Sequence, residues 1–296
     1  MGELMSIGAA LVWSFSVILF KQTGVHHPLG MNLFKNLVAI VLLGLTMWIA
    51  GIPVDRTRSG EDWGMLAFSG LMGIGLADTL FFAALARLGP GFLAVVECAY
   101  APFVVLVSVF WLQEELAPPF YFGAVAVVIG LALATLEPAD EGSRDEGRKG
   151  WWEGVFLAVF AVAAMAVGIV SVKPVLERSN LIEATQVRLV LGTLGILAWA
   201  PLSGSMMKVG QVLAPGPHWR TLLPGAFLGT YVAMILWVGG MKYTSEAAVA
   251  GVLSQTSTIF TLILSAWLLK EKMSVRKVAG AMVAMAGAAW IGLVGG

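Results

Sequence analysis

The chain has little charge for its length. Only 12% of its 296 residues are charged, whereas 58% are hydrophobic, and the mean hydropathy is +0.87. A soluble domain carries roughly 25% charged residues, so too few charged side chains remain here to cover a surface that faces water. The composition therefore predicts an integral membrane protein.

Further absences exclude other classes of protein. The net charge is zero and no basic block occurs, so we predict no nucleic-acid partner. The single cysteine, Cys98, excludes an internal disulfide and a cysteine-based metal cluster, and we interpret it as a small apolar packing residue. His26 and His27 lack the spacing of metal ligands on a helix, so we predict no metal and no cofactor. Nucleophile elbows, phosphate-binding glycine loops and helical H-E-x-x-H motifs are missing, which predicts that the protein is not an enzyme.

Ten apolar segments are long enough to cross a bilayer, which takes about 20 helical residues. They cover approximately residues 3–22, 29–50, 64–87, 91–113, 118–137, 152–173, 183–204, 220–241, 246–269 and 274–294. The first lacks the basic start and small-residue exit of a secretory signal, so we expect it to be retained. Residues 138–150 are charged and lack aromatic side chains, which predicts a flexible linker between a first domain, 1–137, and a second, 151–296.

The two halves of the chain repeat with a spacing of 156 residues. Gly91–Glu115 and Ala247–Glu271 share a Trp-Leu pair and a final glutamate, and Gly73 and Ala77 recur as Gly229 and Ala233. Because each half holds five apolar segments, the second copy must enter the membrane upside down. Inverted repeats are typical of secondary transporters. We predict an all-α membrane protein with ten transmembrane helices, arranged as two inverted five-helix repeats around a central cavity.

Small residues recur at helical spacing in the fifth and tenth segments. Gly123 and Gly130 in one segment match Gly280 and Gly287 in the other. Such residues let two helices approach closely. They indicate tight packing, either on the neighbouring bundle or on another subunit.

Two carboxyl groups lie inside apolar segments, where lipid would penalise them. We predict that Asp78 anchors a substrate ammonium or serves as a protonation site; the alternative is a hydrogen bond that packs two helices. Phe82 follows Asp78 one turn later. Glu97 and Tyr100 share one face of the fourth segment. Pro102 removes a backbone hydrogen bond nearby, which predicts a kink and a hinge. The alternative is a routine kink with Glu97 near the lipid headgroups.

Aromatic and amide side chains could complete a binding site. Trp13, Tyr231 and Trp237 lie mid-segment, where they could stack on an aromatic substrate or hold a cation, or could serve packing alone. The polar run 254–258 occupies the depth of Glu97 in the second repeat, and Gln255 is its best candidate because an amide both donates and accepts. Four cations, which either meet a carboxylate or extend to the membrane surface, are Lys21, Lys35, Lys173 and Arg188.

The Trp-Leu-x-x-Glu endings and the Gly-x6-Gly pairs carry a family resemblance. With ten segments in two halves, the chain resembles the drug/metabolite transporter superfamily, and within it the EamA-type bacterial exporters, over essentially its whole length. Its composition is most similar to the branch that exports aromatic and other neutral amino acids and hydrophobic cations such as methyl viologen. The resemblance implies a multi-pass exporter in the bacterial inner membrane that works by alternating access.

From these observations we expect an exporter of small amphipathic metabolites, with an amino acid and membrane lipid as partners and proton coupling left open. The alternative is an exchanger of sugar phosphates or nucleotide sugars, which would need several cations facing the cavity. A passive channel or an intramembrane enzyme is less favoured, because continuous polar stripes and clustered acid/base groups are missing. The positive-inside rule would put both termini outside, whereas the family resemblance puts them in the cytoplasm; we expect the latter.

Overall fold

The computed structural model describes residues 1–112, 119–135, 146–243 and 253–294, and every regular element in these ranges is a helix. In the first half of the chain the α-helices are α1 (Gly2–Gln22), α2 (Pro28–Ile49), α3 (Gly60–Ser69), α4 (Asp78–Leu88), α5 (Pro90–Glu97), α6 (Tyr100–Leu112) and α7 (Phe120–Thr135). In the second half they are α8 (Glu146–Glu177), α9 (Leu181–Leu202), α10 (Met206–Leu213), α11 (Trp219–Ala226), α12 (Ala233–Tyr243), α13 (Thr256–Leu268) and α14 (Val275–Val294).

Seven helical stretches of the described residues are long and apolar enough to cross a membrane. They are Gly2–Gln22, Pro28–Ile49, Gly60–Leu88, Pro90–Trp111, Lys149–Glu177, Leu181–Leu202 and Trp219–Gly240. Tyr121–Ala134 and Thr256–Leu268 are shorter apolar helices. A helix satisfies its own backbone hydrogen bonds, which is what the bilayer interior demands. The chain is therefore a helical, multi-pass membrane protein.

The predicted fourth segment, 91–113, is interrupted. Its helix stops at Glu97 and resumes at Tyr100. A proline cannot donate to the carbonyl four residues back and its ring clashes with that group, and for Pro102 that group belongs to Cys98. The break therefore lies one turn before the proline. Residues 246–252, which open the predicted ninth segment, lie outside the described residues.

The predicted linker is partly helical, which corrects its boundary. Helix α8 begins at Glu146 and runs to Glu177, so it includes the last five residues that we assigned to the linker and passes beyond the predicted end at residue 173. Glutamate, arginine and lysine are good helix formers, and they extend the apolar helix outward. Residues 138–145 of the predicted linker lie outside the described residues.

Two π-helical segments occupy matching places in the two halves. Gly70–Ala77 (π1) joins α3 to α4, and Phe227–Val232 (π2) joins α11 to α12; positions 71–76 fall on 227–232 at the spacing of 156. A π-helix is rare and occurs frequently at functional sites. Glycines let α9 pack closely on π1, because a Cβ on Gly70 would lie only 3.0 Å from the backbone nitrogen of Gly192.

Helices α7 and α14 pack against each other along their glycines. A Cβ on Gly130 would lie 2.5 Å from the carbonyl oxygen of Gly280, and one on Gly123 would lie 2.7 Å from that of Gly287. No side chain fits in such gaps. Within this chain, therefore, the small residues of the fifth and tenth segments face one another.

The remaining packing interleaves the two halves of the chain. Helix α1 packs along α12 and α13, α2 packs along α9, and α4 packs along α8. Helix α13 also crosses α5. The interior of the bundle is consequently lined by helices from both halves, and the polar residues described next lie at these crossings.

Candidate functional site

A buried ion pair joins α2 to α4. Lys35 Nζ lies 2.6 Å from Asp78 Oδ2, and the two side chains are 6% and 16% exposed. Lys35 also donates to Asn36 Oδ1 at 2.9 Å. A lysine and a carboxylate that neutralise each other in this way avoid most of the cost of isolated charges in lipid. Lys35 therefore points inward to Asp78, and does not extend to the membrane surface.

An amide network holds this pair in place through the π-helix. Asn32 Nδ2 donates to the carbonyl oxygen of Ile74 at 2.7 Å and to Thr79 Oγ1 at 2.9 Å. Asn36 in turn donates to Asn32 Oδ1 at 3.1 Å. The amide of Asn32 thus reaches a backbone carbonyl inside π1, one turn before α4 begins at Asp78. These bonds fix the direction in which α4 leaves π1.

Arg188 enters the same region from α9. Its Nε donates to Ser69 Oγ at 2.9 Å, and Gly73 leaves room for the guanidinium, since a Cβ there would lie 3.7 Å from Arg188 Nη2. The groups that act on its charge are Tyr100 and Asp78. Among the described residues, no carboxylate forms an ion pair with Arg188 within 4.0 Å. This arginine contacts π1 and faces the break between α5 and α6.

Glu97 ends α5 immediately before that break. Its carboxyl group interacts with the Trp13 side chain of α1, and the Trp13 ring lies 5.7 Å from the Phe81 ring of α4, centroid to centroid. Glu97 and Trp13 are half-buried. Two of the predicted site residues, from separate helices, are therefore neighbours. An acid beside an aromatic pair can hold an ammonium group and an apolar side chain together.

Helix α13 completes this region from the second half of the chain. Thr261 Oγ1 donates to Ser14 Oγ at 2.9 Å, and Thr258 Oγ1 donates to the carbonyl oxygen of Ala94 at 3.2 Å. Cys98 Sγ lies 3.5 Å from Thr258 Oγ1. Gln255 is half-buried at the N-cap of α13. The position of Gln255 matches Ala99 at the spacing of 156, so both halves interrupt a helix at this depth.

Three other predicted site residues have described neighbours other than Glu97. Phe82 is 2% exposed and packs edge-on against Phe20, with ring centroids 5.0 Å apart. Tyr231 OH shares a hydrogen bond of 2.8 Å with Thr46 Oγ1. Trp237 is half-buried on α12. Phe82 is a core residue. The described ring contacts of the predicted aromatic residues are those of Trp13 with Phe81 and of Tyr231 with Phe227.

Sequence reasoning missed Asn32, Asn36 and Ser14. The signal was present, because Asn32 and Asn36 stand four residues apart inside an apolar segment with Lys35 between them. Residues four apart share a helix face. A polar face on an otherwise apolar helix points to the protein interior.

At one end of the bundle a pocket of about 420 Å³ lies between the α2–α3 loop and the α8–α9 turn. Arg58 pairs there with Glu183, and both side chains are almost fully buried at 4% and 1% exposure. The hydrogen bond to Glu183 raises the pKa of the Arg58 guanidinium. Asp55 also donates its backbone N–H to Glu183 Oε1 at 3.3 Å. The pair ties a loop of the first half to a helix of the second.

Ionisable side chains buried among membrane helices, beside π-helices and a broken helix, are the features of a transport protein. The comparison with known families agrees. The chain belongs to the EamA-like transporter family, which matches residues 1–136 and 152–293. It is therefore a transporter of the drug/metabolite transporter superfamily, not an enzyme, and it acts on a small-molecule substrate in a membrane.

Individual relatives support the same assignment. An uncharacterized transporter of Archaeoglobus fulgidus is 26% identical over 284 residues, which cover 95% of this chain and 94% of that protein. The uncharacterized inner membrane transporter YhbE of Escherichia coli K12 is 27% identical over 139 residues; the match spans 45% of this chain and only 41% of YhbE. A crystal structure with 18% identity shares the fold, with a TM-score of 0.66 and coverage of 98% of this chain and 95% of the other.

Proposed function

We propose that the protein exports small amphipathic metabolites, foremost neutral or aromatic amino acids, across the bacterial inner membrane. The observation that carries this proposal is Glu97, a carboxyl group inside the bundle that interacts with Trp13, whose ring in turn contacts Phe81. An amino acid with an apolar side chain offers the matching groups, an ammonium for the acid and a ring or alkyl group for the aromatic pair. Hydrophobic cations such as methyl viologen offer the same two features.

We further propose that ten transmembrane helices form two inverted repeats that move by alternating access. Support comes from the matched π-helices and from the matched interruptions at residues 98–99 and 255, all at a spacing of 156. Irregular helices at equivalent depths are where transporter sites form and where helices bend. In this proposal Pro102 sets the hinge between α5 and α6.

The roles of the predicted site residues follow from their neighbours. Glu97 meets the substrate ammonium, Trp13 and Tyr100 meet its side chain, and Gln255 orients its polar end. Asp78 is engaged by Lys35, so we assign it proton exchange and not substrate binding. Tyr231, Trp237 and Phe82 support the surrounding packing.

An exchanger of sugar phosphates is the second candidate. It is favoured by one observation, the presence of two inward-facing cations, Lys35 and Arg188. A phosphate dianion would pair well with such groups. Its weakness is that Lys35 is already neutralised by Asp78.

Counterflow in proteoliposomes tests these alternatives. Vesicles holding the purified protein are preloaded in turn with tryptophan, threonine, methyl viologen and glucose 6-phosphate, and entry of the labelled compound is followed. We expect exchange of the amino acids and none of the sugar phosphate. Exchange of glucose 6-phosphate alone would replace the proposal with the second candidate.

The same assay tests Glu97. A hydrogen bond to a charged group contributes about 1.5–3 kcal/mol, so Glu97→Gln should raise the half-saturating tryptophan concentration by roughly 10-fold or more. Glu153→Gln is the matched control, since Glu153 is 51% exposed and paired only at 3.8 Å with Arg87. If Glu97→Gln and Asp78→Asn both transported with unchanged affinity and pH dependence, the roles assigned here would be wrong.

A further inference from the structure

The charges inside the bundle do not balance in pairs. Lys35 and Asp78 neutralise each other at 2.6 Å. Arg188 has no carboxylate within ion-pair distance in the described part of the chain, and Asp78, the carboxylate that acts on it, is already bound to Lys35. Among the described groups that act on Glu97 there is likewise no cation. One guanidinium and one carboxyl group are therefore left without a charged partner among these residues.

The repeat explains why Arg188 stands alone. Lys35 and Arg188 occupy the same place, the eighth residue, of α2 and α9. The partner of Lys35 is Asp78, but the residue 156 positions later is Met234, which packs in an apolar cluster with Leu189 and Ile74. The first repeat thus has a cation and an acid, whereas the second has the cation alone.

An arginine without an anion is costly inside a membrane protein. In the described part of the chain, Arg188 donates from Nε to Ser69, which uses one of the five donors of a guanidinium. Nη2 of Arg188 lies beside Gly73, which has no side chain to cover it, and Tyr100 is one of the groups that act on the guanidinium. A planar fork of N–H donors matches a carboxylate in a bidentate geometry.

We infer that Arg188, next to Tyr100, binds the carboxylate of a transported zwitterion while Glu97 binds its ammonium. This inference rests on the proposed function and deepens it: the substrate must carry both charges, not an amine alone. Glu97 and Tyr100 lie on either side of the break between α5 and α6. A zwitterion held between Glu97 and Arg188 would therefore lie across that break, with its side chain on Trp13.

Three indole compounds separate the two charges experimentally. Tryptophan carries both charges, tryptamine carries the ammonium alone, and indole-3-propionate carries the carboxylate alone. Their half-saturating concentrations are measured by counterflow competition in proteoliposomes, and by ligand-induced shifts of the melting temperature in detergent. The wild-type protein should prefer tryptophan over either analogue by about 10-fold or more.

Arg188→Gln should raise the half-saturating concentration of tryptophan by about 10- to 100-fold and that of tryptamine by less than about 3-fold. Arg188→Lys keeps the charge but not the fork, so it should recover part of the tryptophan affinity. Arg188→Lys also replaces Arg188→Gln as the test variant if Arg188→Gln does not fold. Glu97→Gln should instead raise the half-saturating concentration of tryptamine, because Glu97 is assigned to the ammonium group. Arg178→Gln, at an arginine whose side chain is 56% exposed, is the control.

The outcomes distinguish the two proposals. If the wild-type protein exchanges tryptophan, and Arg188→Gln and Arg188→Lys each weaken tryptophan and tryptamine equally, Arg188 is a packing residue and this inference is wrong while the proposed function stands. If the wild-type protein exchanges no amino acid, the proposed function itself is wrong. Loss confined to the compounds that carry a carboxylate would support the inference.

Discussion

Two nearly buried ion pairs neutralise charges that would otherwise be costly inside this protein. Arg58 is paired with Glu183 and Lys35 with Asp78, each pair being nearly buried. Breaking such a pair leaves one charge stranded at a cost of about 3–5 kcal/mol. Arg188 and Glu97 differ from these residues, because neither forms an ion pair with another described residue.

His27 provides a test at the residue scale, because its imidazole caps α2. In its neutral form His27 Nδ1 accepts from the backbone N–H of Gly30 at 3.1 Å. Burial, and secondly Lys208, lower the pKa of His27 below its ordinary value. The stabilisation is therefore fully present above about pH 6.5, the unfolded value, and is lost as the pH falls through the lowered folded pKa. Melting temperatures in detergent between pH 5 and pH 8 measure this loss.

Two variants of His27 separate the cap from its titration. His27→Asn keeps a capping acceptor that does not titrate, so it should flatten this part of the pH dependence. His27→Ala should lose about 1 kcal/mol at pH 8. His26→Asn, in the exposed residue before it, is the control. An unchanged pH profile in His27→Asn would show that the cap does not control stability.

Sequence alone predicts candidate site residues only where burial by itself is informative. Glu97 was recognised because an acid in an apolar segment is costly wherever its partner lies. Its contact with Trp13, 84 positions earlier, depends on how α1 crosses α5. The pairing of Lys35 with Asp78, which leaves Arg188 unpaired, is likewise a tertiary fact. Phe82 illustrates the limit, since adjacency to Asp78 in sequence does not decide which way a ring points.

At the scale of elements, hydropathy predicts where helices lie but not where they change character. Hydropathy predicts ten segments, whereas seven helical stretches of the described residues are long and apolar enough to cross a membrane. Where the two agree, they do so because an apolar stretch in a bilayer must be helical. The π-helices have no such signal, and π1 contacts a neighbouring helix through Asn32. The break at Cys98–Ala99 is different, because Pro102, one turn later, already predicts a kink there. The charge of residues 146–150 predicts a flexible segment, but these residues extend α8 because glutamate, arginine and lysine are good helix formers.

The contact between α7 and α14 gives a prediction at this scale. Gly130→Val would place a side chain within 2.5 Å of the backbone of α14, and overpacking of this kind costs about 1–3 kcal/mol. Gly280→Val should destabilise the protein to a similar extent, because a Cβ on Gly280 would lie 2.6 Å from the carbonyl oxygen of Gly130. We expect each to lower the melting temperature in detergent by roughly 2–8 °C.

Gly64→Ala is the matched control for this contact. Gly64 is also helical, but a Cβ there meets nothing within 4 Å. Alanine is a better helix former than glycine, so this variant should melt at the same temperature or slightly higher. Equal melting of all three variants would mean that the α7–α14 contact does not limit stability.

At the scale of the whole molecule, polar contacts join the two halves at opposite ends of the bundle. The Arg58–Glu183 pair lies at one end. At the other, Glu271 in the α13–α14 loop accepts from the backbone N–H of Gly91 at 3.2 Å and from Lys277 Nζ at 3.3 Å. Lys21 acts on Glu271 electrostatically while donating to the end of α4. Alternating access requires the halves to separate at one end at a time.

Glu271 therefore gives a prediction for the motion of the whole transporter. Its carboxylate lies at the N-terminus of α5, where the helix dipole favours a negative charge, and it comes from the opposite half of the chain. Glu271→Gln removes that charge and weakens the attraction to Lys277 and Lys21. Spin labels on cysteines at the exposed positions Gln22 and Arg276, in a Cys98→Ser background, report the separation of the halves at this end. We expect the variant to shift the distance distribution toward longer values.

Glu153→Gln tests whether this shift is specific. Glu153 pairs with Arg87 at 3.8 Å, but both side chains are well exposed, and exposed pairs contribute little. Its distance distribution should match that of the parent protein. If Glu271→Gln also matched the parent, with tryptophan counterflow unchanged, Glu271 would be a local cap of α5 and would not control opening. A shift in Glu271→Gln alone, reversed by added tryptophan, would show that closure at this end is coupled to the central site.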